Sequence, residues 1–463
     1  MKYYLAVDIG ASSGRLMLSY LQDGIMKLEE VHRFPNGMKE KNGHKCWDIE
    51  ALFSEIVTGM KKCKEMGIKP ESIGIDTWAV DFALIDKDGN LVGDTVGYRD
   101  SRTENADKLV YVYIPEKELY ARTGIQKQKF NTIYQLMAVK TQNPEDLEKA
   151  DTMLLIPDYL NFLLTGEKLT EYTNASTTQL VSPTTKDWDF ELIDMLGYPR
   201  KFFTKIALPK TKVGSLKKEI IEEVGFDCDV ILPATHDTGS AVVAVPAEGD
   251  NVLYISSGTW SLMGTELFEA NCSEESMKRN LTNEGGIDYR FRYLKNIMGM
   301  WMINSARSEL APNMPFGEIC EGASKESIKS IVPANDDRFM APKSMSEEIK
   351  KACEETNQQI PEGIFETAAV IYNSLAKCYA DTATELEEMT GEKYDAIHIV
   401  GGGSSADYLN RLTAKASAKK VITGPTEATA IGNVAVQMMA SGEIDDLKAA
   451  RKIILKSFEC KEF

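Results

Sequence analysis

Two stretches, one in each half of the chain, share a local plan: an apolar run, a turn containing Ser-Ser-Gly, and a second apolar run. In the first, residues 3–9 lead into Gly10-Ala11-Ser12-Ser13-Gly14-Arg15 and then Leu16-Met17-Leu18. In the second, Val252-Leu253-Tyr254-Ile255 leads into Ser256-Ser257-Gly258-Thr259, then Trp260-Ser261-Leu262-Met263. Each reads as two strands joined by a turn whose backbone N–H groups and hydroxyls suit a phosphate. The repetition points to duplicated domains facing one another. The echo is short, however, and a plain hairpin explains either segment alone. At 463 residues the chain is long enough for two domains with separate cores.

Acids recur where apolar runs end. Asp8 closes the first strand, where it would face a phosphate and hold a metal ion, with Arg15 adding positive charge. Asp76 closes Ser72-Ile73-Gly74-Ile75, and Trp78 and Asp81 follow. A Trp beside carboxylates grips a sugar by ring face and hydroxyls; a Trp packed in the core is the competing reading. Tyr98-Arg99-Asp100-Ser101-Arg102 is a second polar cluster, equally explained by surface ion pairs. Near the middle, Val230-Ile231-Leu232 runs into Pro233-Ala234-Thr235-His236-Asp237-Thr238-Gly239, and a small-residue helical pattern leaves it. A loop between strand and helix lies at the carboxyl edge of a sheet, where α/β proteins bind ligands. A helix N-cap is the plain alternative for the same residues.

Residues 103–200 read as a helical insertion and 320–360 as a polar surface segment. Asp48 caps a helix bearing Leu52, Phe53, Ile56, Val57 and Met60. Ile364, Ala368, Ile371, Leu375 and Leu386 mark one face of a long helix ended by Gly391. Gly401-Gly402-Gly403 follows the strand Ala396-Ile397-His398-Ile399-Val400. The next strand carries no acid to hold a ribose, so an adenosine suits this loop better than a nicotinamide dinucleotide.

A net charge of −17 disfavours nucleic acid and anionic membranes as partners. The eight cysteines form no Cys-x-x-Cys pair, and Asp8 interrupts any signal-peptide core. A cytoplasmic protein with reduced thiols is expected.

Taken in order, several motifs resemble those of the FGGY carbohydrate kinases. They are Asp8-Ile9-Gly10-Ala11-Ser12-Ser13-Gly14-Arg15, Asp76-Thr77-Trp78-Ala79-Val80-Asp81, Tyr98-Arg99-Asp100-Ser101-Arg102, His236-Asp237-Thr238, Ser257-Gly258-Thr259-Trp260, Thr282-Asn283-Glu284-Gly285-Gly286 and Gly401-Gly402-Gly403. The resemblance runs from residue 3 to about 440. It implies an α/β fold of two actin-like, ribonuclease-H-like domains with a cleft between them: a sugar-binding domain over 1–245 and a nucleotide-binding domain over 246–463. It implies transfer of the γ-phosphate of ATP, with magnesium, to a small sugar, the 1-hydroxyl of L-rhamnulose being the expected acceptor. By position Asp237 is similar to the family's catalytic base. Trp78, Ala79, Asp81, His236, Thr238 and Asn296 are similar to its sugar contacts. Ala11, Ser12, Ser13, Gly14, Arg15, Thr259, Asn304 and Gly402 are similar to its nucleotide contacts, and Asp8 would lie near the magnesium. Ala79 stands where the family usually has Gly, Asn304 where a longer amide is usual, and Ala406 where Asn is usual. Another ketose, such as L-fuculose or xylulose, is the alternative acceptor. A non-catalytic actin-like ATP switch is the alternative from another class, and it has no need of an acid on a sugar loop.

Overall fold

The structure is a computed structural model that describes residues 1–249 and 251–463. It divides into two compact units. The first comprises Met1–Ala244, Leu267–Tyr293 and Thr429–Ser457; the second comprises Val245–Glu266, Leu294–Ala428 and Phe458–Phe463.

The first unit is built on a six-stranded sheet. β1 (Tyr4–Ile9), β2 (Ser13–Gln22) and β3 (Ile25–Pro35) form an antiparallel meander. β4 (Ser72–Thr77) lies parallel to β1 on its other side. β5 (Lys212–Ser215) and β6 (Asp229–Ile231) complete the order β5-β6-β4-β1-β2-β3. Every residue of β1 and β4 is buried. Burial of every position, with apolar residues pointing to both sides, fits strands covered on both faces. One face is covered by α1 (Ile49–Glu65), which buries Leu52, Ile56, Val57, Met60 and Cys63 and is capped by Asp48 accepting from Ala51 N. On the other lies the helix Ala428–Ala440, whose Gln437 accepts from Ser72 Oγ (2.6 Å) and donates to Leu5 O (3.0 Å).

Residues 103–200 are mostly helical, as the periodicity predicts, with α2 (Thr132–Gln142) and α3 (Tyr172–Ser176) bearing on the site. They add two strands, Thr152–Leu155, paired with Phe82–Ile85, and the two-residue Thr170–Glu171, paired with Ile206–Ala207, and a second core around Tyr134, Leu136, Leu155 and Phe202. Asn174, Ala175, Ser176, Thr177 and Thr178 are all buried. The chain then leaves β6 through a loop into α4 (Asp237–Val243).

In the second unit β7 (Leu253–Ser257) and β8 (Ser261–Leu267) form the second Ser-Ser-Gly hairpin. β9 (Thr282–Gly285) belongs to the first unit, and β10 (Phe291–Ile297) passes into the second after Tyr293. β11 (Ala396–Val400) lies parallel to β7, β12 (Lys420–Thr423) parallel to β11, and β13 (Lys461–Glu462) antiparallel to β12. Taken from β10, the order β10-β8-β7-β11-β12 repeats β3-β2-β1-β4-β6 of the first sheet. The duplication hinted at by the short echo is therefore present as topology, and both sheets have the ribonuclease-H-like order. α5 (Trp301–Leu310) and α6 (Gly363–Thr390) pack in this unit; Gly391 ends α6 at φ 74°. The segment 320–360 lies largely at the surface, as expected, but is partly helical. It holds the end of the helix Phe316–Lys325 and the helix Met345–Glu355, whose charges face outward while Ala323, Ile349 and Cys353 are buried. Among the described residues no helix is long and apolar enough to cross a membrane.

Candidate active site

The loop after β6 is fixed before Asp237 begins α4. Thr77 N donates to Thr235 O (2.9 Å), hanging the loop on the end of β4. Thr235 donates to Glu171 Oε2 through both N (3.0 Å) and Oγ1 (2.7 Å). Glu171 also caps α3, accepting from Thr173 N, Thr173 Oγ1 and Asn174 N. Burial pushes its carboxyl above the usual range, and these donors oppose that push. Ser240 Oγ, one turn into α4, returns to Ala234 O (2.7 Å). Helix 428–440 meets α4 backbone to backbone at Gly432, where a Cβ would lie 1.8 Å from Ser240 O.

The N-cap of α4 is His236, not Asp237, and the cap makes no side-chain bond to the helix. Asp237 holds the first helical position, where the positive end of the helix favours an anion. Its Oδ1 accepts from Thr238 N (2.6 Å) and Thr238 Oγ1 (3.2 Å), and 31% of the side chain is exposed. Surrounding protein pushes the carboxyl above the ordinary aspartate range; His236 opposes this and Asp8 adds to it.

Asp8 and Asp76 are register partners on the parallel strands β1 and β4. Asp8 Oδ2 accepts from Arg15 Nε (2.9 Å) and Nη2 (2.7 Å). Asp76 accepts from Asn433 Nδ2 at 2.5 Å, while its Oδ1 is buried with no partner. Burial, then Asp8, raise the Asp76 carboxyl well above its usual range, Asn433 opposing, and Asp237 adds to the rise. Two carboxylates near strand ends, Asp8 and Asp76, and one at a helix start, Asp237, therefore influence one another although they are distant in sequence.

Trp78 and Asp81 differ from expectation. Trp78 is 6% exposed and packs within the core against Trp47, ring centroids 3.9 Å apart and planes tilted by 33°. Asp81 is 1% exposed; its Oδ2 accepts from Trp47 Nε1 (2.7 Å), Trp78 Nε1 (2.9 Å) and Tyr98 N (3.0 Å), and its Oδ1 from Gln135 Nε2 (2.8 Å). The pair holds a loop in place instead of presenting a face and an acid. Between them Asp81 N donates to Ala79 O (2.9 Å) around Val80 at φ 67°. A β-branched residue in such a γ-turn is strained by roughly 1–3 kcal/mol. Thr132 Oγ1 (2.7 Å) and Gln135 Nε2 (3.3 Å), both from α2, hold Val80 O and keep the turn. Ala79, half-buried, is the part of this loop nearest solvent.

The first hairpin closes with Gly10 N on Ser13 O (2.9 Å) and leaves Ser12 and Ser13 exposed, with Ala11 and Arg15 partly so. Gly14 is buried against Phe34, whose ring a Cβ would strike. In the second unit Thr259 is exposed at the β7–β8 turn, and Thr259 O accepts from Trp301 N (2.9 Å) at the start of α5, which carries Asn304. The glycine loop after β11 presses on β7: a Cβ on Gly401 would lie 2.9 Å from Ser257 O, and one on Gly403 1.9 Å from Ser257 Oγ. Gly402, between them, has open space where a Cβ would be. Asn296 is half-buried on β10 and Ala406 is buried before the next helix.

A family model described as the FGGY family of carbohydrate kinases, N-terminal domain, matches residues 3–244, and the C-terminal domain of that family matches 253–441. The chain belongs to the FGGY carbohydrate kinases. It is 52% identical to a rhamnulokinase of Oceanobacillus iheyensis, covering 98% of this chain and 97% of the relative. It is 50% identical to a rhamnulokinase of Halalkalibacterium halodurans, over 100% of this chain and 99% of the relative. Its fold is similar to that of a ligand-bound xylulose kinase of Lactobacillus acidophilus (TM-score 0.80, 18% identity, 100% and 93% coverage). It is also similar to Plasmodium falciparum glycerol kinase with ADP (TM-score 0.78, 17% identity, 99% and 94% coverage).

Sequence reasoning missed several residues of this FGGY kinase. Glu171 lies 64 residues from Thr235 and reads in sequence as an ordinary helix-starting acid. Arg292 is fully buried and donates from Nη2 to His236 Nδ1 (2.9 Å). Glu284 stood within a recognised motif, but nothing in the sequence paired it with Arg292, 3.1 Å away.

Proposed function

We propose that this protein transfers the γ-phosphoryl group of ATP to the 1-hydroxyl of L-rhamnulose. The observation that carries this reading is the identity, half or more over essentially the whole of both chains, with relatives named rhamnulokinase. Phosphoryl transfer asks for positioning, charge neutralisation and a group that takes the attacking hydroxyl's proton. Asp237 suits the last role. It is partly exposed, its Oδ1 is held by Thr238, and the surroundings raise its proton affinity. His236, Thr238, the Ala79 peptide and Asn296 are assigned to the sugar. Trp78 and Asp81 act behind them by holding the strained turn. Residues 1–245 are taken as the sugar-binding domain and 246–463 as the nucleotide-binding domain. Ala11 to Arg15, Thr259, Asn304 and Gly402 are assigned to ATP.

Asp8 and Asp76 offer hard oxygen donors that fit magnesium, which binds through one or two carboxylates plus phosphates and water. The orphaned, buried Asp76 Oδ1 fits that demand for a proton or cation. With the nucleotide, the ion would neutralise phosphate charge. The protein is placed in the cytoplasm.

A panel of ketoses with ATP and magnesium, coupled to ADP release, tests the assignment. L-rhamnulose is expected to give the highest kcat/KM. A higher value for xylulose, L-fuculose or glycerol would overturn it.

A further inference from the structure

Three side chains converge on His236 within the first unit. Arg292 Nη2 lies 2.9 Å from Nδ1, Glu284 Oε2 lies 3.3 Å from the same nitrogen, and Asp237 Oδ1 lies 3.6 Å from Nε2. A guanidinium carries only donors and keeps its charge. A bond from Arg292 to Nδ1 therefore requires Nδ1 to be the bare, accepting nitrogen of the ring. Glu284 completes the arrangement by pairing with Arg292 at 3.1 Å. Arg292 is further fixed by donating from Nε to Gly285 O (2.9 Å), at zero exposure. The ring's one proton then lies on Nε2. At 3.6 Å from Asp237 that N–H is too far to be consumed by the carboxylate, so it remains available to a third group beside the base.

We propose that the buried Arg292–Glu284 pair is a positioning device that holds His236 as the Nε2–H tautomer, so that the imidazole donates to a sugar oxygen next to Asp237. The assignment of the recipient rests on the sugar-kinase reading; the tautomer does not. An uncharged hydroxyl or carbonyl oxygen is the acceptor this donor suits, adjacent to the hydroxyl that Asp237 would deprotonate. Arg292 touches no substrate in this arrangement and acts through the ring.

The test has two readouts. Protein labelled with 15N in its histidines is examined by NMR without sugar, the His236 signals being identified by their loss in His236→Gln. A protonated Nε2 and a bare Nδ1 are expected, in the wild type and in Arg292→Lys; a protonated Nδ1 in the wild type overturns the tautomer whatever the substrate proves to be. Kinetics supply the second readout. His236→Gln keeps a donor at the reach of Nε2, and His236→Asn keeps polar atoms only at the reach of Nδ1. The Asn variant is expected to raise sugar KM roughly tenfold, about 1.4 kcal/mol, and the Gln variant, which keeps the donor but leaves Arg292 without its acceptor, to raise it by clearly less. Equal losses in the two variants overturn the donor role. If the ketose panel fails while the NMR result holds, the substrate assignment is wrong and the tautomer device stands.

Discussion

Replacing Asp237 by Asn separates a base from a helix-starting acid. The amide oxygen can still accept from Thr238 N, the 2.6 Å bond that orients the present carboxylate. What it cannot do is accept a proton. Loss of a general base costs roughly 10²–10⁴ in rate, and kcat is expected to fall by that much. The sugar Kd should change by less than about tenfold, because an amide still hydrogen-bonds a hydroxyl. Stability should barely move. The charge–dipole term lost at the helix start is about 0.3–1 kcal/mol. Its loss is offset by removal of a carboxylate that its surroundings already disfavour in the charged form. A residual of 1 kcal/mol would shift Tm by only about 2–4 °C in a unit of 150–250 residues, and less in a larger one. Because the carboxyl is raised, the acid limb of the wild-type kcat/KM profile should lie above the ordinary aspartate range, with rate lost as pH falls and Asp237 gains its proton. Steady-state kinetics, calorimetric sugar titration and thermal melts decide it. Near-normal turnover in a folded Asp237→Asn variant would remove Asp237 from the chemistry.

Three further perturbations address the scaffold. Burial pushes Asp81 up to about 6 from 3.8, so its contribution is greatest below about pH 4 and is lost as pH rises through 6, a gap worth about 3 kcal/mol; the stability of wild type minus that of Asp81→Asn, from urea unfolding, should therefore fall by that order between pH 3.5 and 7.5, and a pH-independent difference would contradict the shift. Glu171→Gln sets an amide NH2 among the N–H and O–H donors of Thr173, Asn174 and Thr235, which should cost about 1–3 kcal/mol and lower kcat while KM for ATP is unaltered; unchanged melting and turnover would show that Glu171 does not hold the loop. Gly432→Ala drives a methyl into Ser240 O at the α4 crossing and should destabilise by about 1–3 kcal/mol, read by chemical denaturation, whereas wild-type stability would mean that the two helices separate freely.

The local sequence was enough for the parts of this protein whose cause is local. The apolar runs that end in Asp8 and Asp76, the α1 cap at Asp48 and the stripe ended by Gly391 all follow from backbone period and turn chemistry. The motif order carried the family, because each of those short stretches is recognisable from residues close together in the chain. Tertiary structure decided what distant residues do to one another. Parallel register makes Asp8 and Asp76 partners. Packing sinks Trp78 onto Trp47 and turns Asp81 into an anchor. Burial brings Glu171 to Thr235 and Arg292 to His236. The chain also returns to its first unit at residues 267–293 and 429–457, after entering the second. No periodicity encodes these meetings: a helix or strand pattern states which face of a segment is apolar, and only the folded chain determines which carboxylate, indole or guanidinium that face will meet.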